Sequence, residues 1–170
     1  MKSLRFILCV VLMSIASAAF AQSDAPTAQQ AFAKLKALEG TWGGTFDGKP
    51  FKGAVTMRVT SMGNTLMHEM KSSERPDDPI TMFSIDGSRL MLTHFCDAGN
   101  QPHMVATVSP DGKTYTFDFV DATNLLPTQE GHMQRVTFTL IDPDHHTEKW
   151  EFAMADGKQM GGLLDLKRNK

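Results

Sequence analysis

The chain has 170 residues, 41% of them hydrophobic, and a formal net charge of −2 at pH 7. Its basic residues are scattered rather than clustered, which argues against nucleic acid and anionic membrane surfaces as partners. No repeat, linker or low-complexity segment divides the chain, and its length suits one domain with a buried core.

The first residues, MKSLRFILCVVLMSIASAAFA, have the pattern of an export signal. Lys2 and Arg5 precede a short apolar run, and the small residues Ala19 and Ala21 form a site that signal peptidase accepts. The run is too short to span a bilayer. We therefore predict a cleaved signal peptide at residues 1–21 and one domain at 22–170. The mature protein would be periplasmic or secreted, without a stable membrane anchor.

A short helix is predicted at the start of the mature chain. Thr27 can cap it, and apolar residues then recur at spacings of three and four, which is typical of a helix with one buried face. Gly40 ends this pattern. The apolar residues are Ala28, Ala31, Phe32, Leu35 and Leu38.

Beyond Gly40, apolar and polar residues alternate, which predicts β-strands separated by turns. Eight turn sequences divide this region: FDGK at 46, SMGN at 61, RPDDP at 75, IDGS at 85, AGNQP at 98, SPDGK at 109, DPDH at 142 and ADGK at 155. They imply about nine strands, or ten if the segment between Val120 and Gly131 contains a further break.

One face of these strands is apolar and the other is polar, because successive side chains of a strand point to opposite sides. Many consecutive hairpins with a single N-terminal helix predict an all-β protein. We predict a closed antiparallel up-and-down barrel of about nine to ten strands, since closure removes the sheet edges. A two-sheet sandwich is the alternative. The predicted inward residues are Val55, Met57, Val59, Leu66, His68, Met70, Tyr115, Phe117, Phe119, Val136, Phe138, Leu140, Trp150, Phe152 and Met154.

The stretch LKALEGTWGGTFDG, Leu35 to Gly48, resembles the opening of lipocalin-like, calycin-type barrels. GNTLMHEM from Gly63 and MFSIDGSRLMLTHFCDAGNQPHM from Met82 are similar to bacterial lipocalin-like proteins of unknown function. The resemblance covers most of the mature chain. It implies a barrel in which Trp42 closes one end against the helix.

A more distant resemblance is to nitrobindin-like haem barrels. It implies a haem held by one inward histidine near the C-terminal end. This chain ends in QMGGLLDLKRNK, and no histidine follows His146. We therefore predict no cofactor, and we keep a haem- or metal-binding barrel that uses His68 or His94 as an alternative.

The stretch HFCDAGNQPH, His94 to His103, contains side chains that bind metals or act as nucleophiles. Its spacing differs from that of a cupredoxin loop, and no lysine or arginine lies nearby to lower the pKa of Cys96. Cys96 is also the sole cysteine of the mature chain, so no intramolecular disulfide is possible. We predict no metal site and no catalytic residue here, and we interpret DPDHH at 142–146 as a solvated turn.

His68 stands on an otherwise apolar inward face, and Glu148 shares its face with Trp150. We predict that the imidazole of His68 lies within hydrogen-bonding reach of Glu148, with one nitrogen left free. His132 and Gln134 are expected to extend this polar patch.

The leading hypothesis is an exported, non-catalytic barrel that binds a small, mostly apolar molecule in its interior. A structural or interaction module with Met67, Met91 and Phe95 on its outer faces is a further alternative. The sequence does not indicate the oligomeric state. The predicted ligand-binding residues are His68, Met70, His94, Phe117, Gln134, Glu148 and Trp150.

Overall fold

The computed structural model describes residues 25–170. The predicted signal peptide at residues 1–21 lies outside this range. None of the helices between residues 25 and 170 has the length and apolar character needed to cross a membrane.

Within this range, ten antiparallel strands form one closed barrel, and each pairs with its neighbours along the chain. The predicted barrel is therefore confirmed, and the tenth strand arises from a break at residues 124–130. A two-residue strand, β2 (Lys49–Pro50), pairs with the end of β1 (Gly40–Phe46). The barrel strands are β1 (Gly40–Phe46), β3 (Gly53–Thr60), β4 (Thr65–Ser72), β5 (Ile80–Asp86), β6 (Arg89–Phe95), β7 (Gln101–Val108), β8 (Thr114–Thr123), β9 (Gly131–Asp142), β10 (His145–Met154) and β11 (Gln159–Arg168).

The barrel closes where β1 pairs with β11, from Trp42 opposite Arg168 to Phe46 opposite Leu164. Gly44 lies in the middle of this seam. A Cβ atom at Gly44 would collide with the backbone carbonyl oxygen of Asp165. The two strands can approach this closely because the position carries no side chain.

The helix α1 (Ala28–Leu35) begins as predicted at Thr27. The Thr27 side chain accepts a hydrogen bond from the backbone N–H of Gln30, and the Gln30 side chain accepts one from the N–H of Thr27. This reciprocal capping box satisfies two N–H groups that a helix start otherwise leaves unpaired. A 3-10 turn, Lys36–Leu38, then leads into β1.

Trp42 joins the helix to the barrel, and its predicted position against the helix is confirmed. Its side chain is fully buried, and its Nε1–H donates to the carbonyl oxygen of Leu38 at 2.9 Å. The guanidinium of Arg168 lies 4.2 Å from the centre of the Trp42 ring. Tyr115 donates from its hydroxyl to the Ala31 carbonyl at 3.3 Å. The helix therefore covers the end of the barrel at which β1 begins, which we call the helix end.

We call the opposite end of the barrel the mouth. The hydrophobic core fills the interior from the helix end towards it. Phe83 lies at the centre of this core, with its ring centre 5.4 Å from that of Phe117 and 5.5 Å from that of Phe138. All three rings are completely buried. Edge-to-face contacts of this kind add to the stabilisation from apolar burial.

Candidate functional site

Three buried polar side chains lie side by side on adjacent strands near the mouth. His68 on β4 is opposite Thr81 on β5, which in turn is opposite His94 on β6. The Thr81 hydroxyl and the Nδ1 atom of His94 are 2.8 Å apart. Thr81 is the second residue of β5 and His94 the last but one of β6, so the row is at the mouth end of these strands.

The opposite wall presents Glu148 and Trp150 from β10 to this row. The ring of Trp150 contacts both histidines, with ring centres 5.5 Å from His68 and 5.3 Å from His94. His68, His94 and Trp150 are 1%, 3% and 7% exposed. We call the set of His68, Thr81, His94 and Trp150 the floor.

Glu148 is completely buried directly beneath the floor, one inward position nearer the helix end than Trp150. Its Oε2 atom accepts hydrogen bonds from His68 Nε2 and Trp150 Nε1, both at 3.0 Å. Its Oε1 atom accepts one from His146 Nε2 at 2.9 Å. The carboxylate therefore has three donors, and the predicted contact between His68 and Glu148 is confirmed.

Burial alone would raise the pKa of Glu148, but attraction to His68 and the hydrogen bonds from His146 and His68 outweigh it. The pKa of this carboxyl group falls to about 2. Burial, followed by repulsion from His68, lowers the pKa of His94 to about 3. At neutral pH, Glu148 is ionised and His94 is neutral.

Two buried nitrogen atoms next to Glu148 have no hydrogen-bonding partner within residues 25–170: Nδ1 of His68 and Nδ1 of His146. Nε2 of each ring is bound to Glu148. His146 lies deep, with its ring centre 4.3 Å from that of Trp42 at the helix end. His68 belongs to the floor, so its free nitrogen is the one nearer the mouth.

Above the floor, the inward side chains are apolar and half-buried. Met70 is the next inward residue after His68 on β4, and Phe152 is the next after Trp150 on β10. Met133 is opposite Phe152, and both Met133 and Phe51 pack against the edge of the core. We call Phe51, Met70, Met133 and Phe152 the apolar rim.

Two of the other predicted ligand-binding residues lie away from the floor. Phe117 belongs to the aromatic core with Phe83, which is one inward position deeper than Thr81. Gln134 is the extra residue of a β-bulge, because Arg135 is opposite Glu151 while Met133 is opposite Phe152. The bulge directs Met133 rather than Gln134 towards the core. His132 stacks on Phe119, with ring centres 4.1 Å apart.

The interpretation of residues 142–146 as a solvated turn was wrong for His146. Strand β10 already begins at His145, and the side chain of His146 is completely buried. The sequence does indicate that His146 is buried, since His146, Glu148 and Trp150 are alternate residues of one strand and therefore point to the same face. Thr81 was also missed, because the sequence does not show which strand positions become neighbours.

Residues 25–170 contain no group of three or more His, Cys, Asp or Glu side chains arranged to hold a metal ion. Cys96 is a free thiol, half-buried just after β6, and burial raises its pKa. A raised pKa reduces the thiolate fraction on which nucleophilic attack depends. Of the stretch His94 to His103, His94 is thus the residue that belongs to the floor.

Two open depressions lie near the mouth. One, of about 320 Å³, is bounded by the loop after β8 and includes Leu125, Leu126 and His132. The other, of about 310 Å³, lies over β10 and β11 and reaches Trp150. Both volumes are at the lower limit of about 300 Å³ for ligand pockets. The interior around Phe83, by contrast, is filled by aromatic rings.

Comparison with known proteins supports the fold. No protein family model matches the chain, and no curated protein matches it. The crystal structure of Rv2717c from M. tuberculosis is similar, with a TM-score of 0.58 over 82% of this chain and 98% of that one. The two sequences are 17% identical. The likeness shows a shared barrel fold.

Proposed function

We propose that this protein binds one small, mostly apolar molecule at the mouth of its barrel, without catalysing a reaction. The observation that carries this proposal is the buried Nδ1 atom of His68, which has no partner in the described part of the chain and lies beneath the half-buried side chains of the apolar rim. Ligand sites of this kind are apolar with a few fixed polar groups that orient the ligand. The apolar rim would enclose the ligand, and the floor would orient its polar end.

Glu148 supports this role by holding the floor in place. It fixes the side chains of His68 and Trp150 through hydrogen bonds to the same carboxylate oxygen. A site whose polar groups are already held rigidly loses less side-chain entropy when a ligand binds. Thr81 orients His94 in the same way.

A haem does not fit these side chains. Nε2 of His68 and of His146 is already bound to Glu148, so these nitrogens cannot ligate iron while the cluster is intact. The buried rings of Phe83, Phe117 and Phe138 fill the space beneath the floor. Binding a haem inside would require both the carboxylate cluster and the aromatic core to rearrange.

Replacing His68 with leucine tests the proposal directly. Titration of the wild-type protein with the apolar fluorophore N-phenyl-1-naphthylamine should show saturable binding. We expect His68→Leu to weaken that binding by about 1–3 kcal/mol, because the polar partner of the ligand is lost. Glu148 keeps its hydrogen bonds from Trp150 and His146 and the side-chain volume is roughly conserved, so the barrel should still fold at some cost in stability, which circular dichroism would verify.

His103→Leu is the matched control for this titration. His103 lies near the mouth, where it is partly exposed and bound to Asp121 rather than to the floor. Its replacement should leave the affinity unchanged.

Met70→Arg provides a second test, since a charge in the apolar rim should weaken binding of the fluorophore without altering the floor. Absence of saturable binding to the wild-type protein would contradict the proposal.

We also propose that the protein acts outside the cytoplasm, because residues 1–21 have the pattern of an export signal. In its own host, the mature protein should begin at Gln22, as measured by the intact mass of the extracytoplasmic form. Ala19→Lys should block cleavage and leave a longer chain, since signal peptidase requires a small residue there. A wild-type protein that retains Met1 and remains in the cytoplasm would argue against export.

A further inference from the structure

The exposed apolar side chains of the barrel are concentrated at the mouth. Nine large apolar residues between 25 and 170 are exposed. Five lie in the mouth loops or within two residues of the mouth end of a strand, two lie at the helix end, and two lie on strands between the ends. Single exposed apolar residues are ordinary, but a set at one end of a molecule marks a contact surface. We call the five at the mouth the mouth ring: Phe46, Phe95, Leu125, Leu126 and Met160.

The mouth ring surrounds the opening of the barrel rather than covering one side of it. In the order of the ten barrel strands, β6 is five strands from β11 in either direction, so Phe95 and Met160 stand on opposite sides of the mouth. Phe46 ends β1, which pairs with β11. Leu125 and Leu126 lie in the loop between β8 and β9, in the interval between these two sides. A surface that touches all five residues at once therefore has to be broad and flat and to lie across the barrel axis.

The loop that carries Leu125 and Leu126 is anchored by hydrogen bonds. Oε1 of Gln129 accepts from the backbone N–H of Leu126 at 2.8 Å, and the N–H of Gln129 donates to the carbonyl oxygen of Leu126 at 3.1 Å. The buried side chain of Asn100 donates to the same Gln129 oxygen at 3.1 Å and to the carbonyl oxygen of Gly131 at 2.8 Å. The exposed leucine side chains are therefore presented by a loop whose backbone is held in place.

The charges around the mouth ring distinguish between possible partners. The five connections at the mouth, residues 47–52, 73–79, 96–100, 124–130 and 155–158, contain seven carboxylates and four basic side chains. Their net charge of −3 disfavours an anionic lipid surface and also the mouth of a second copy of this chain. A zwitterionic lipid surface is broad and flat, has no net charge, and carries its cationic ammonium groups outermost. Its interface also accepts exposed apolar side chains.

We propose that the mouth of the barrel docks reversibly on a zwitterionic lipid surface, with the mouth ring inserted among the head groups. The apolar side chains supply the attraction, and the carboxylates of the mouth loops face the ammonium groups. The docking does not depend on ligand binding, because the mouth ring shares no residue with the apolar rim or the floor. For an apolar ligand at the mouth, it provides a route from the bilayer that avoids water.

Sedimentation with sucrose-loaded phosphatidylcholine vesicles tests the proposal. The protein is used in its extracytoplasmic form, checked by intact mass, so that the apolar run of the predicted signal does not contribute. The wild type should bind the vesicles reversibly. Leu126→Asp should weaken this binding about tenfold or more, because a charge replaces an apolar side chain at the lipid interface. Leu126 bonds to Gln129 through its backbone, so the loop should keep its shape in the variant.

Met62→Asp is the matched control, since Met62 is fully exposed at the opposite end of the barrel. Aspartate tolerates the positive φ of 55° at this position better than most residues do. The affinity of this variant for the vesicles should equal that of the wild type. Equal losses for Met62→Asp and Leu126→Asp, or a wild type that does not bind the vesicles, would overturn the proposal.

Vesicles of phosphatidylglycerol test the role of charge. At low ionic strength, the wild type should bind these anionic vesicles more weakly than phosphatidylcholine, and high salt should reduce the difference, because salt screens the repulsion. Tighter binding to the anionic vesicles would overturn the proposal. Sedimentation without vesicles tests the competing partner: a dimer that Leu126→Asp dissociates, together with no binding to vesicles, would assign the mouth ring to a protein interface instead.

Discussion

Replacing Glu148 with alanine should lower the free energy of unfolding by about 3–5 kcal/mol, the usual cost of removing one partner from a buried charged cluster. The carboxylate accepts hydrogen bonds from His68, His146 and Trp150, and all three donors are buried. Without the carboxylate, these buried donors lose their protein partner. Urea unfolding at pH 7, followed by tryptophan fluorescence, would measure the change.

Glu151→Ala is the matched control, because Glu151 lies on the same strand and pairs at the surface with Lys149. Exposed pairs of this kind contribute about 0–1 kcal/mol, so the control should change stability little. Glu148→Gln separates loss of charge from loss of volume, since the amide fills the same space and still accepts a hydrogen bond. A change below about 1 kcal/mol for Glu148→Ala would contradict the role that we assign to the cluster.

The contact between His68 and Glu148 shows how far the sequence predicts this site. The two residues are 80 positions apart. Both stand among apolar neighbours on inward faces, and an isolated polar residue on such a face needs a partner. Alternation alone thus identified the pair. The same rule places His146 inward, but the turn-like composition of DPDHH concealed the start of the strand.

The alignment of the floor could not be predicted in this way. His68, Thr81 and His94 become neighbours through the register between β4, β5 and β6. Register depends on where each hairpin turns, and a shift of one residue reverses every side chain. The bulge at Gln134 has a similar effect, because one extra residue moves the following positions to the other face. Alternation within a strand reveals neither feature.

The stability of the protein should also fall steeply in mild acid, mainly because of His94. Burial lowers the pKa of His94 from its ordinary value of 6.5 to about 3. Between these two values the unfolded chain binds a proton that the folded protein does not. Stability is therefore complete above pH 6.5 and is lost as the pH falls towards 3, by up to about 1.4 kcal/mol per pH unit.

A comparison of wild type with His94→Gln isolates this contribution, since glutamine does not titrate and can still bond to Thr81. Between pH 6.5 and pH 4.5, the wild type should lose about 2 kcal/mol more stability than the variant does. Glu148 does not account for the difference, because its pKa falls from 4.5 to about 2 and its contribution is lost only below this range. His103→Gln, at the partly exposed site, should retain the wild-type slope. Urea unfolding at pH 6.5, 5.5 and 4.5 measures all three proteins, and parallel slopes for wild type and His94→Gln would show that the His94 ring is not held neutral in the folded barrel.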